Sequence, residues 1–233
     1  MNLAIQQPEH LPWIGFFNKM IQCDLFVYLD NVQFKKRYFE NRNKIRHKTE
    51  TLWLTVPVIS KNLYTQNICN VEIDYGQAWV KKYKGRLEHA YGKHPFWSEL
   101  QEIIYPPLDK SFKKLTDLNF VLINKICHYL GIDTQTALAS EMNCENLKGT
   151  DLILEICAQS NAKVYISGPD GVNYLDSKKF AKKGIEIVYH NFEHSEYPQM
   201  GEEFISHLSI LDLIANCGRE SLSFINDCHQ KSI

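Results

Sequence analysis

The chain has 233 residues, an apolar share of 44% and a formal charge of −1, with charges of both signs mixed along it. This suits one sizeable α/β domain and excludes a disordered chain, and the balanced charge shows no global footprint for nucleic acid or an anionic membrane, so any anion must be bound locally. No apolar run approaches the roughly 18 residues of a membrane span, and the N-terminus lacks a signal peptide's basic region and apolar core, so a cytoplasmic protein without a membrane span is expected.

Leu3-Ala4-Ile5 has the length of a buried strand, and it breaks at Gln6-Gln7-Pro8-Glu9-His10. Ile14, Phe17, Met20 and Ile21 then fall at helical spacing, and Leu25-Phe26-Val27-Tyr28-Leu29 reads as a second strand ending at Asp30. Strand, helix and strand in that order make a βαβ unit with parallel strands. A half-buried strand is expected over 52–58, where Leu52, Leu54, Val56 and Val58 share a face and Pro57 marks an edge, and a short one over 71–74. Helices are expected over 78–91, over 96–105 with Pro106-Pro107 as a stop, and over 112–130 with Gly131 as its terminator. Their many aromatics read as core or helix-seam residues. A further helix begins near Thr150 as its cap, a strand spans 163–166, and Ser167-Gly168-Pro169-Asp170-Gly171 makes a glycine-bearing turn before a short helix to Phe180. A strand over 185–189 and a capped helix over 209–215 complete the series.

The expected fold is therefore a single α/β domain over 1–233, with a mainly parallel Rossmann-like sheet, helices on both faces and residues 77–131 as a helical insertion or cap. Ligands in such sheets bind beyond the carboxyl ends of the strands. Gln6, Gln7, Glu9 and His10 stand at the first of those ends, and Asp30, Gln33, Lys35, Lys36, Arg37 and Asn41-Arg42-Asn43 follow the second. Gln6, His10, Asp30, Gln33, Arg42 and Asn43 are expected to line one pocket with the Ser167-Gly168 turn. His10 fits either a general base, a phosphate contact or a structural hydrogen bond. A carboxylate such as Asp30 at the end of a buried strand is costly without partners, and Arg42 between two amides suits phosphate or carboxylate. His190 and His194 have metal-like spacing but no third ligand, so no metal is expected. Seven cysteines without a Cys-x-x-Cys read as reduced thiols.

Three groups of residues carry a family resemblance: Gln6-Gln7-Pro8-x-x-Leu11-Pro12-Trp13-x-Gly15-Phe16-Phe17, Asp24-x-Phe26-Val27-x-Leu29-Asp30-x-Val32-Gln33-Phe34, and Asn41-Arg42-Asn43 with Trp53-Leu54-Thr55-Val56-Pro57. Tyr165-x-Ser167-Gly168-x-x-Gly171-x-x-Tyr174-Leu175, Tyr197-x-Gln199 and Leu208-Ser209-Ile210-Leu211-Asp212-Leu213 continue it over nearly the whole chain. Together they resemble the WbqC-like family of bacterial O-antigen gene clusters. The resemblance implies a role in decorating a nucleotide-linked sugar, and it adds Trp13, Tyr174, Tyr197 and Gln199 to the candidate binding residues. A more distant likeness to the nucleotidylyltransferases, pantothenate synthetase in particular, rests on the first strand ending in Pro-x-His and the second in an acidic residue followed by Val-Gln-Phe. It implies ATP or another activated acyl donor, although only His10 and Gly15 approximate the His-x-Gly-His turn of that group.

The leading expectation is acyl or aminoacyl transfer onto the amine of a nucleotide-linked amino-deoxy sugar. The rivals are a nucleotidylyltransferase acting on a sugar phosphate and a non-catalytic binding or assembly subunit of the polysaccharide machinery. Under the leading expectation Asp30 or His10 is the base, and Arg42, aided by Asn41 or Asn43, holds a diphosphate or activated carboxylate.

Overall fold

The computed structural model describes residues 1–227, so Cys228 lies outside the described residues. The chain opens with β1 (Asn2–Gln6), α1 (Ile14–Ile21) and β2 (Leu25–Tyr28), and the two strands pair in parallel, Leu3 opposite Leu25 and Gln6 opposite Tyr28. Side chains alternate across the strands: Leu3, Ile5 and Val27 enter one core, and Ala4, Phe26 and Tyr28 enter the other. Helices therefore cover both faces of the sheet. In α1 every residue from Ile14 to Met20 is buried, including the polar pair Asn18 and Lys19.

The chain next leaves the sheet. β3 (Arg42–His47) and β4 (Glu50–Thr55) form a separate antiparallel hairpin, with Arg42 opposite Thr55. The strand expected over 52–58 is thus its second arm, and the first arm was hidden because its Arg42, Lys44 and Arg46 interrupt the apolar signal. Residues 71–74 contribute only single bridges, Val58 to Ile73 and Glu72 to Lys114. Three helices follow: α2 (Trp79–Tyr91), α3 (Trp97–Leu108) and α4 (Leu115–Leu130). Pro106 and Pro107 lie inside the last turn of α3 rather than stopping it. Gly131, at φ 73°, ends α4 in the left-handed conformation that glycine adopts without strain.

The short edge strand β5 (Gln135–Leu138) pairs parallel with β2. It has no sequence signature, since only two of its four residues are apolar. α5 (Gly149–Gln159) starts after Lys148, and Thr150 lies inside it, donating its hydroxyl to the Tyr174 carbonyl at 3.0 Å. Then come β6 (Val164–Ser167), α6 (Ser177–Lys182), β7 (Glu186–Tyr189), α7 (Ile210–Cys217), capped by the Ser209 hydroxyl, and α8 (Ser221–Asn226).

The main sheet has the order β5-β2-β1-β6-β7, and every pair in it is parallel. The chain builds outward from β1 to β5, then returns to the other side of β1. That reversal leaves a crevice between the carboxyl ends of β1 and β6, as in doubly wound nucleotide-binding sheets. Among the described residues no helix is long and apolar enough to cross a membrane.

Candidate functional site

A cleft of about 420 Å³ opens at that reversal, lined by Gln6 at the end of β1, Gln7 just beyond it, Leu29 after β2, residues 168–171 after β6 and His190 after β7. A larger groove of about 780 Å³ lies by the turn of the β3–β4 hairpin, but its buried cation Arg46 already donates to the Lys48 and Glu203 carbonyls and to Gln199. Chemistry concentrates in the smaller one.

Lys19 reaches the cleft from α1. The residue is 3% exposed, and its ammonium donates to the Ile5 carbonyl at 2.9 Å and to Gln6 Oε1 at 3.1 Å. Burial pushes its pKa down to about 8, with Cys23 and Glu9 opposing the fall. The other end of the same amide, Gln6 Nε2, donates to Glu9 Oε1 at 3.2 Å. Burial pushes that carboxyl up to about 7, against the Gln6 hydrogen bond. Gln6 thus joins an acid and a base that both titrate near neutrality, and Glu9 Oε2 is buried without a partner.

His190 is held by its own backbone, whose N–H donates to the Ser167 carbonyl at 2.8 Å, and by Asn18 Oδ1, 2.7 Å from Nε2. The Asn18 amide nitrogen donates to the Ile225 carbonyl, so its oxygen is the acceptor and the His190 proton sits on Nε2. The lone pair is left on Nδ1. Burial, then the nearby Lys19 cation, pushes this imidazole down to about 4, which keeps it neutral.

Aromatic walls complete the cleft. Trp13 lies so close over Gly15 that a Cβ there would sit 2.5 Å from indole carbons, so only glycine fits beneath it. The indole is fixed by stacking on His207 and by the edge of Phe192. Tyr38 and Tyr174 are 45% and 55% exposed and remain available to a ligand. Under the turn, Ser167 donates to the Gly168 carbonyl at 3.0 Å, and a Cβ on Gly171 would fall 2.0 Å from Ser167 Oγ.

Of the residues singled out from the sequence, Gln6, Gln7, Trp13, Lys35, Gly168 and Tyr174 line this cleft, and Ser167 supports it from below. The others lie elsewhere. His10 is fully buried between Asn119 Oδ1, at 2.8 Å from Nδ1, and the Tyr83 hydroxyl, at 2.5 Å from Nε2, and burial pushes its pKa down to about 4. Asp30 accepts from the Ser140 N–H at 2.8 Å and the Ser140 hydroxyl at 2.6 Å. Gln33 donates to the Tyr64 carbonyl. Asn43 donates to the Leu11 carbonyl and holds the turn where Leu11 adopts φ 46°. Tyr197 and Gln199 both donate to buried Asp212, at 2.8 and 2.6 Å. Asn41 and Arg42 line a different groove. The expected set is therefore not gathered in one pocket: Gln6 and Gly168 line the cleft, residues 30–41 carry Arg42 away into the hairpin and a separate groove, and His10, Asp30, Gln33 and Asn43 line neither.

Lys19, Tyr38, Asp170 and His190 also line the cleft, and Glu9 stands behind it. Lys19 carried a readable signal, a charge inside an otherwise apolar helix, where an ionised group is costly unless partnered.

The WbqC-like protein family matches residues 7–224 of the chain. "Uncharacterized protein Rv1507c" of Mycobacterium tuberculosis (strain ATCC 25618 / H37Rv) is 33% identical over 231 residues, covering 98% of this chain and 99% of that protein. No solved structure matches. With the match running from the end of the first strand into α8, this chain belongs to the WbqC-like protein family.

Proposed function

We propose that this protein joins an acyl or aminoacyl group to the amino group of a nucleotide-linked amino-deoxy sugar destined for a surface polysaccharide. The observation that carries the reading is the pairing of a buried lysine with a neutral buried imidazole, Lys19 and His190, in a cleft where the sheet reverses direction. Family membership supports the choice of substrate class, and the tyrosines and tryptophan of the walls suit the flat base and sugar of a nucleotide sugar.

In amide formation the amine attacks the carbonyl carbon of an activated donor. A C–N bond forms, the bond from that carbon to its leaving group breaks, and one proton leaves the nitrogen. Lys19 supplies positive charge for the diphosphate or for the oxyanion of the tetrahedral intermediate. His190 takes the proton on Nδ1. The two roles are coupled, since Lys19 is one cause of the low basicity of His190, and an anion paired with Lys19 cancels that repulsion. The base thus strengthens when substrate arrives.

Incubation with nucleotide-linked 3- or 4-amino-6-deoxyhexoses, ATP and amino or carboxylic acids, read by mass spectrometry, tests the reading. A mass gain on the amino sugar supports it. Pyrophosphate release with a new nucleotide sugar from a sugar phosphate refutes it in favour of nucleotidyl transfer, and unchanged substrates refute it in favour of a binding subunit. His190→Gln should lower turnover about 10²–10⁴-fold while sparing substrate affinity.

A further inference from the structure

Asn41 and Arg42 open on a groove of about 280 Å³ that also includes Lys36 and Arg37. It shares Thr55, Pro57 and Gln77 with an adjoining groove of about 400 Å³ that carries Lys82 and Arg86 from α2, so the two run into one another. None of their lining residues belongs to the strand-end cleft. Five cations thus face one channel, against a single lining carboxylate, Asp74, one oxygen of which accepts from the Gly76 N–H. Among the described residues none of these five cations forms an ion pair. A chain of net charge −1 has concentrated unpaired positive charge here.

Two residues lining the groove each carry a buried polar atom without a partner, one a donor and one an acceptor. The Arg42 guanidinium lies flat on Trp53, 3.8 Å from the ring centroid, and one terminal nitrogen donates to the Arg37 carbonyl, yet Nε is buried without a partner. Asn41 is 7% exposed and donates from Nδ2 to the Val56 carbonyl at 2.8 Å, yet its Oδ1 is buried without a partner. Orphaned polar atoms of this kind each cost about 1–3 kcal/mol, which a ligand of the right chemistry would recover. Arg42 Nε needs an acceptor and Asn41 Oδ1 needs a donor. Arg86 braces the platform by donating to the Trp53 carbonyl at 3.3 Å.

We propose that this channel is a second binding site, for a phosphorylated carbohydrate. The phosphate accepts from Arg42 and is surrounded by the flanking cations, and a sugar hydroxyl donates to Asn41 Oδ1. A bare phosphate satisfies only the first demand, and a neutral sugar only the second. The site is separate from the cleft assigned to amide formation and stands or falls without it.

Isothermal titration calorimetry with glucose 1-phosphate, inorganic phosphate and glucose at low ionic strength tests the proposal. Glucose 1-phosphate should bind saturably and at least tenfold more tightly than either of the others. Arg42→Lys, which keeps the charge but removes Nε, should weaken it tenfold or more, and the exposed pair Lys36→Glu with Lys82→Glu, which leaves the core and the Trp53 platform untouched, should weaken it as well. Lys19→Met should leave this binding unchanged. Absence of saturable binding, equal binding of phosphate and glucose 1-phosphate, indifference to the double variant, or loss in Lys19→Met would each overturn the assignment.

Discussion

Replacing Lys19 by methionine should abolish activity and remove a pH-dependent cost to stability. The ammonium is almost wholly buried, and its two hydrogen bonds go to neutral oxygens, those of Ile5 and Gln6. Its pKa falls from 10.5 to about 8 on folding. The unfolded chain therefore binds more protons between those values, so this group costs stability in full below pH 8 and progressively less as the pH rises to 10.5. At about 1.4 kcal/mol per tenfold shift in proton affinity, the cost is about 3 kcal/mol at pH 7 and about 1 kcal/mol at pH 10. Methionine has similar length and no charge to desolvate, but it leaves the Ile5 carbonyl and Gln6 Oε1 without this donor, which offsets part of the gain equally at every pH. Urea denaturation should show the stability of Lys19→Met relative to the wild type falling by about 2 kcal/mol between pH 7 and pH 10, the part that belongs to the buried charge. A variant less stable than wild type by the same amount at both pH values would refute the reasoning and make Lys19 an ordinary structural cation.

Gly171→Ala forces a methyl to within 2.0 Å of Ser167 Oγ, so it should cost about 1–3 kcal/mol in urea melts and weaken substrate binding in the cleft. His10→Ala strands the Asn119 carbonyl and the Tyr83 hydroxyl in the core and should cost about 2–4 kcal/mol. Because the His10 pKa is depressed from 6.5 to about 4, its contribution to stability is complete above pH 6.5 and is lost as the pH falls towards 4; the variant should show a shallower fall across that window. Asp30→Asn places an amide donor against one of the two Ser140 donors and should lower the melting temperature without changing the turnover expected under the proposed function. Reduced turnover with unchanged stability would instead make Asp30 the base.

The βαβ opening was legible because apolar runs of strand length bracket a helical repeat, and with it the strand ends at which the cleft opens. The residues that meet there were only partly legible. Gln6 ends β1 and Gln7 and Gly168 directly follow strands, so their position comes from the sheet itself. Arg42 follows β2 after a long excursion, and its direction is set by hairpin register with Thr55, a long-range fact that local pattern does not carry. Tyr197 and Gln199 stood out by resemblance, and the structure gives them a partner fifteen and thirteen residues away in Asp212. His190 looked like half of a metal site, while its Asn18 partner lies 172 residues earlier in the chain. β5 escaped notice because an edge strand with two half-exposed apolar residues needs little hydrophobicity.

A crystal structure with a nucleotide-linked amino-deoxyhexose bound tests the central claim most directly. The account expects the diphosphate within hydrogen-bonding distance of Lys19, the sugar amine facing His190 Nδ1, and the base against Trp13, Tyr38 or Tyr174. Density for the nucleotide sugar in any other groove, with the strand-end cleft empty, would contradict it.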